Sequence, residues 1–157
     1  MGLHELHSLK GQLSIVSNNL EGKTIYKNRI NNLITNAGRK LLAEYMIGRI
    51  DGQPQLYVAV GTGDEPADNK DTSLTNQVAK VKVMEDSFLT HYENDEVNIT
   101  LTATLPPTEE GKEELLKEAG VIISLQDGSD VLYNKTVFPV VTRTDKLKIS
   151  LSWDLKF

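Results

Sequence analysis

LKISLSWDLKF, residues 147–157, is the stretch that decides the fold class of this chain. Large apolar side chains occupy every second position, from Leu147 through Trp153 to Phe157, and polar ones fill the positions between. Successive side chains of a β-strand point to opposite faces, so this period of two predicts a half-buried strand. Chain ends usually fray unless packing holds them. This end is therefore predicted to be paired within the main sheet.

The strand signal continues upstream. Val97–Leu105 alternates strictly between apolar residues and Asn or Thr, and two prolines end it. Leu56–Val60 reads as a buried strand that enters the Gly61-Thr62-Gly63 turn. Further strands are predicted at Val78–Met84 and in a hairpin that joins Val121–Leu125 to Val131–Val137.

One helix interrupts the pattern, at about residues 32–47. Its apolar residues recur at spacings of three and four: Leu33, Ile34, Ala37, Leu41, Leu42, Tyr45 and Met46. Thr35 or Asn31/Asn32 can cap its start, and Gly48 suits its end. The acidic stretch 108–120 is predicted to add a helical turn or two. The expected fold is mainly β, a β-sandwich or barrel-like pair of antiparallel sheets with one N-terminal α-helix. Residues 31–157 form a single domain and residues 1–30 an N-terminal arm.

Composition narrows the classes of function. The chain has 157 residues, a net charge of −5 and no cysteine, which excludes disulfides, thiolate zinc sites and cysteine nucleophiles. An acidic chain without a basic groove predicts no nucleic-acid binding. It also contains no apolar run of membrane-spanning length and no signal peptide, which predicts synthesis in a cytoplasm and no membrane partner.

Motifs for chemistry are weak throughout. The Gly61-Thr62-Gly63 turn lacks the further glycine of a dinucleotide site. A calcium site among Asp64, Glu65, Asp68, Asn69 and Asp71 is weighed against a solvated acidic loop, and the loop is favoured because the spacing is wrong. His4, His7 and His91 are too scattered for zinc, and no nucleophile motif occurs. The sequence thus predicts no enzyme, no metal and no cofactor.

The order of four segments is more informative than any single motif. They are NRINNLITNAGRKLLAEYM (28–46), YVAVGTGDEPADNKDTSLTNQV (57–78), KEAGVI (117–122) and VLYNKTVFPVVTRTDKLKISLSWDLKF (131–157). This succession resembles small virion structural proteins of tailed bacteriophages. Part of it is similar to the particle-proximal region of tail-collar fibre proteins.

The resemblance implies a structural role in the virion without catalysis, with capsid, neck or tail proteins as partners and a homo-oligomer, a trimer or ring, on the particle. The chain stops at Phe157 where a fibre would continue into a shaft, which favours a capsid decoration (cement) or collar/adaptor protein. The alternative is a tail-fibre attachment or receptor- and carbohydrate-binding module, in which Tyr57, Tyr92 and Tyr133 stack on sugars.

Charge asymmetry suggests where docking occurs. Residues 1–50 carry seven basic and three acidic residues, whereas the remainder carries ten and nineteen. We therefore expect the N-terminal arm to dock on an acidic neighbour. Its expected contacts are the apolar anchors Leu9, Leu13 and Ile15 and the charges Lys10, Lys23, Lys27 and Arg29. The loop Asp64–Gln77, with Asp64, Asp68 and Asp71, is the second candidate surface.

Overall fold

Two antiparallel sheets and one helix make up the computed structural model, which describes residues 9–84, 89–93 and 96–157. The first sheet has the order β2-β1-β11-β7-β6, with strands at Thr24–Asn31, Lys10–Asn19, Leu147–Lys156, Glu96–Leu105 and Leu89–Glu93. The second has the order β3-β10-β8-β4-β5, with strands at Leu33–Ile34, Asn134–Thr144, Glu113–Ser124, Gln55–Gly61 and Gln77–Lys82. Strand β9, Asp130–Leu132, also pairs with β8. The predicted mainly-β class with one helix is confirmed.

The core lies between the two sheets and is built by the alternation read from the sequence. Strand β11 pairs with β1 on one side and β7 on the other, so the predicted C-terminal strand is confirmed as a central one. Trp153 is fully buried, and its indole Nε1 donates to Asn32 Oδ1 at 2.6 Å. The second sheet contributes apolar side chains to the same core, among them Val58, Val60, Leu116 and Val121.

The helix α1 spans Asn36–Met46, so its predicted start at residue 32 is wrong. Leu33 and Ile34 instead form β3, which pairs with Asn134 and Lys135. The predicted cap is confirmed, since Thr35 Oγ1 accepts the backbone N–H of Gly38 at 2.9 Å. Gly48 also has the expected left-handed conformation after the helix, with φ of +71°.

The predicted N-terminal arm is wrong for the residues that the structure describes. Lys10–Asn19 is β1, an inner strand between β2 and β11, and Thr24–Asn31 is β2. Leu13 and Ile15 are 0% and 1% exposed, so neither can anchor the chain on a partner. The alternation was obscured because small residues, Gly11 and Ser17, take inward positions on either side of them. Residues 1–8, with His4 and His7, lie outside the described residues.

A second correction concerns the acidic stretch 108–120, which was expected to be helical. From Glu113 onward it is β8, a twelve-residue strand that pairs with β4 on one side and with β9 and β10 on the other. Pairing with β10 overrides the helix preference of the Glu, Leu and Lys residues at 113–118, and pairing with β4 holds the strand from Glu118 onward. Among the described residues, no helix is long and apolar enough to cross a membrane.

Candidate functional site

The outer face of the first sheet gathers basic side chains from three strands. Residues directly opposite each other in an antiparallel pair lie on the same face, so the register identifies its members. Lys10 is opposite Lys156, Arg29 is opposite Ser14, and Lys27 is opposite Val16. Among the side chains that the structure describes, the charged members of this face are Lys10, Lys27, Arg29, Lys148, Asp154 and Lys156. We call this surface the basic face.

Small hydroxyl residues occupy the middle of the basic face and keep it low in relief. Ser14, Ser152 and Thr102 lie side by side across β1, β11 and β7, and the next row contains Ser150 and Thr104. Short side chains leave the basic groups as the longest projections from the sheet. Counted over the side chains that the structure describes, the face carries four net positive charges, on a chain of net charge −5.

Asp154, the acidic member of the basic face, is bound from two sides. Its Oδ1 accepts the Thr100 hydroxyl at 2.7 Å, and its Oδ2 lies 3.5 Å from Arg29 Nη2. The Arg29 side chain is 61% exposed, so solvent screens this ion pair and it contributes little to stability. The guanidinium keeps its other donors for a partner.

The structure brings together three of the four predicted basic contacts, Lys10, Lys27 and Arg29. Lys23 lies beside them in the β1–β2 turn and is exposed, and Leu9 is half-buried against the core. The sequence reasoning missed Lys148 and Lys156, which come from the opposite end of the chain. Their signal was present, because both fall on the polar side of the alternating 147–157 stretch.

A small pocket borders the face, between β2 and β10. It has a volume of about 200 Å³ and is lined by Ser17, Ile25, Tyr26, Val140, Val141, Thr142 and Leu147. The register of β10 with β8 shifts between Val137 and Val141, and this bulge leaves Val140 46% exposed. Ser17 is 1% exposed, and its hydroxyl has no hydrogen-bond partner among the described atoms.

The second predicted surface, the acidic loop (residues 62–76), is held from inside by Glu118. This carboxylate is fully buried and accepts three backbone N–H groups, from Gly63 at 3.1 Å, Thr75 at 2.9 Å and Asn76 at 2.7 Å. Lys135 Nζ, 2% exposed, lies 3.7 Å from Glu118 Oε2. Glu118 belongs to the acidic stretch that was expected to form a helical turn or two, and strand β8 instead buries it.

Asp64, Asp68 and Asp71 have separate roles in the acidic loop. Asp64 lies 3.9 Å from Lys117 Nζ, and Asp71 lies 3.4 Å from Lys135 Nζ. Asp68 Oδ1 accepts the N–H of Lys70, a local turn contact. No group of three or more potential metal ligands occurs among the described residues, and the calcium alternative gains no support from these positions.

The motifs that carried the resemblance meet around these buried contacts. A Cβ on Gly61 or Gly63 would come within 2.4 or 2.7 Å of Glu118 Oε1, which explains the Gly-x-Gly turn. In the Asn-x-x-Thr-x-x-Gly element, Asn32 binds Trp153 and Thr35 caps α1. A Cβ on Gly38 would lie 2.6 Å from the Tyr133 carbonyl oxygen. These motif residues therefore stabilise the fold.

An apolar cavity of about 400 Å³ opens beside the C-terminal end of β11. Its walls include Leu42 and Tyr45 of α1, Leu56, Tyr133 and the C-terminal Phe157. Tyr133 is 2% exposed, which corrects the expectation that it is free to stack on sugars. Burial raises its pKa to about 12. Tyr57 is half-buried and has Lys80 Nζ 4.5 Å above its ring.

Comparison with known proteins adds no relative to this description. No family model, curated protein or solved structure matches the chain.

Proposed function

We propose that this protein is a non-catalytic structural component of a tailed-phage particle that binds neighbouring virion subunits, as a capsid decoration (cement) or collar/adaptor protein. The observation that carries the proposal is the basic face. Its described side chains carry four net positive charges on one low-relief sheet surface of an acidic chain, which suits an acidic protein surface of similar shape.

The phage context is supported by the order of the motifs along the chain. These motifs serve architecture, so their likeness to small virion proteins concerns the scaffold. The side chains proposed to dock are different ones, which point outward from β1, β2 and β11, although Arg29, Lys148 and Lys156 belong to the same segments of the chain. A scaffold whose outer face is free of fold-determining residues can be adapted to a capsid, neck or tail subunit.

Charge on the basic face is expected to raise the rate of association more than the affinity of the final complex. Exposed charges steer encounter and are screened by salt over about 8–10 Å at ordinary ionic strength. We therefore expect binding to particles to weaken as salt rises. Copies are expected to occupy symmetric positions as a trimer or ring on the particle.

The experiment reverses charge on the face. Lys27→Glu with Lys148→Glu changes two exposed residues of β2 and β11, and the matched control Arg49→Glu with Lys112→Glu makes the same change of net charge elsewhere. Particles made without the protein are incubated with each variant, purified, and scored by immunogold labelling. The face variant should lose about tenfold or more in occupancy, while the control binds as wild type. Equal occupancy of both variants, or no wild-type protein on particles, would refute the proposal.

A further inference from the structure

Strand β2 presents a free edge next to the basic face at residues 25–29, whereas farther along the same side the Asn31 carbonyl accepts the Thr136 hydroxyl at 2.9 Å. It is the terminal strand of the first sheet, and within the described part of the chain no strand pairs with it on the side away from β1. Asn32 N–H donates to Gly11 on the β1 side, whereas Arg29 N–H donates to the Asn28 side chain at 2.8 Å. Backbone groups alternate between the two sides of an antiparallel strand, which places the amide and carbonyl of Lys27 on the free side.

The pocket between β2 and β10 lies on the inner side of this edge. Its mouth is apolar, since Ile25 is 52% exposed and Val140 is 46% exposed. Its wall includes the buried Ser17 hydroxyl that has no described partner. A volume of about 200 Å³ suits a compact aliphatic side chain. The edge thus combines main-chain hydrogen-bonding groups with a pocket for an anchor residue, the two parts of strand-addition recognition.

Charge complementarity identifies the occupant. Lys27 and Arg29 project from β2 on the outer face, with Lys23 in the adjoining turn. Side chains of an added strand would alternate between that outer face and the inner side, where the pocket lies. Resting on the proposed function, we propose that the free edge of β2 receives an extended segment of the neighbouring virion subunit in which acidic residues alternate with aliphatic ones.

The first test uses a synthetic decapeptide, Gly-Ser-Glu-Val-Glu-Val-Glu-Val-Ser-Gly, titrated into ¹⁵N-labelled protein. Amide resonances of residues 25–29 and 140–142 should shift, and exchange of the Lys27 amide should slow. A peptide with Lys in place of Glu should bind about tenfold more weakly or not at all. Equal binding of the two peptides, or shifts confined to the cavity around Tyr45 and Phe157, would overturn the inference.

The second test separates charge from strand addition. Lys27→Gln and Lys27→Pro both remove the charge, but only proline also removes the backbone N–H on the free side. An edge strand tolerates proline at a position where the N–H would face solvent. Amide spectra check that both variants are folded. Lys27→Pro should bind the acidic peptide about tenfold more weakly than Lys27→Gln. Equal affinities of these two variants contradict strand addition.

The two proposals can fail separately. If the acidic peptide does not bind but Lys27→Glu with Lys148→Glu empties the particles, the edge hypothesis is refuted and the docking function stands. If the peptide binds at β2 while wild-type protein is missing from particles, the edge hypothesis stands and the virion role is refuted.

Discussion

Replacing Glu118 with glutamine tests whether the buried carboxylate holds the acidic loop. Oε1 accepts the N–H groups of Gly63 and Asn76, and Oε2 accepts that of Thr75 and faces Lys135. A glutamine NH₂ would confront two donors in either orientation, and Lys135 would lose its buried acidic neighbour and keep only the partly exposed Asp71. An unpaired buried donor costs about 1–3 kcal/mol, and breaking a buried ion pair about 3–5 kcal/mol.

We therefore expect Glu118→Gln to lower the free energy of unfolding by about 3–5 kcal/mol, or the melting temperature by roughly 10 °C. Urea denaturation measures the loss, and Lys135→Met with the double variant completes a thermodynamic cycle. The double variant should lose less than the sum of the single variants, because it leaves no buried charge unpaired. Amide exchange of Gly63, Thr75 and Asn76 should also accelerate. A loss below about 1 kcal/mol with unchanged exchange would refute the reasoning.

Three further outcomes are expected. Trp153→Ala should cost about 3–5 kcal/mol, with native tryptophan emission blue-shifted in the parent, and a solvent-like emission maximum would contradict its burial. Deleting residues 2–24 removes β1 and should abolish the cooperative melting transition, whereas an unchanged melting temperature would restore the arm hypothesis. Burial raises the pKa of Tyr133 from its ordinary 10.0 to about 12 in the folded state. The folded protein therefore retains the Tyr133 proton where the unfolded chain has lost it, and the free energy of unfolding falls by up to about 3 kcal/mol as pH rises from 10 to 12. Tyr133→Phe should flatten that part of the pH profile in urea titrations.

Strands with a strict period of two were predictable from sequence, because one buried face imposes the pattern residue by residue. Strand β11 and strand β7 show this, and the structure pairs them with each other. Strand β1 was not predicted, because its inward positions include Gly11 and Ser17, which add nothing to the apolar alternation. Strand β8 was not predicted because pairing with β10 outweighs the helix preference of residues 113–118, and β4 pairs with the strand from Glu118 onward.

The candidate site was predictable only in part, for a similar reason. Lys10, Lys27 and Arg29 could be singled out from local charge, but their neighbours Lys148 and Lys156 are more than 110 residues away in sequence. Only the pairing of β1 with β11 makes them one surface. The role of Glu118 was also hidden, since nothing local distinguishes it from the solvated Glu109 and Glu110.

The anchoring of the acidic loop has a consequence for how this chain can change. Glu118 accepts hydrogen bonds from main-chain N–H groups, and these contacts do not depend on the side chains of the loop residues. Mutation can therefore change exposed side chains such as Glu65 and Lys70 while Glu118 keeps the two ends of the loop in place. An engineered epitope or short binding peptide inserted there would be displayed from a loop whose two ends are already fixed, without any redesign of the sandwich.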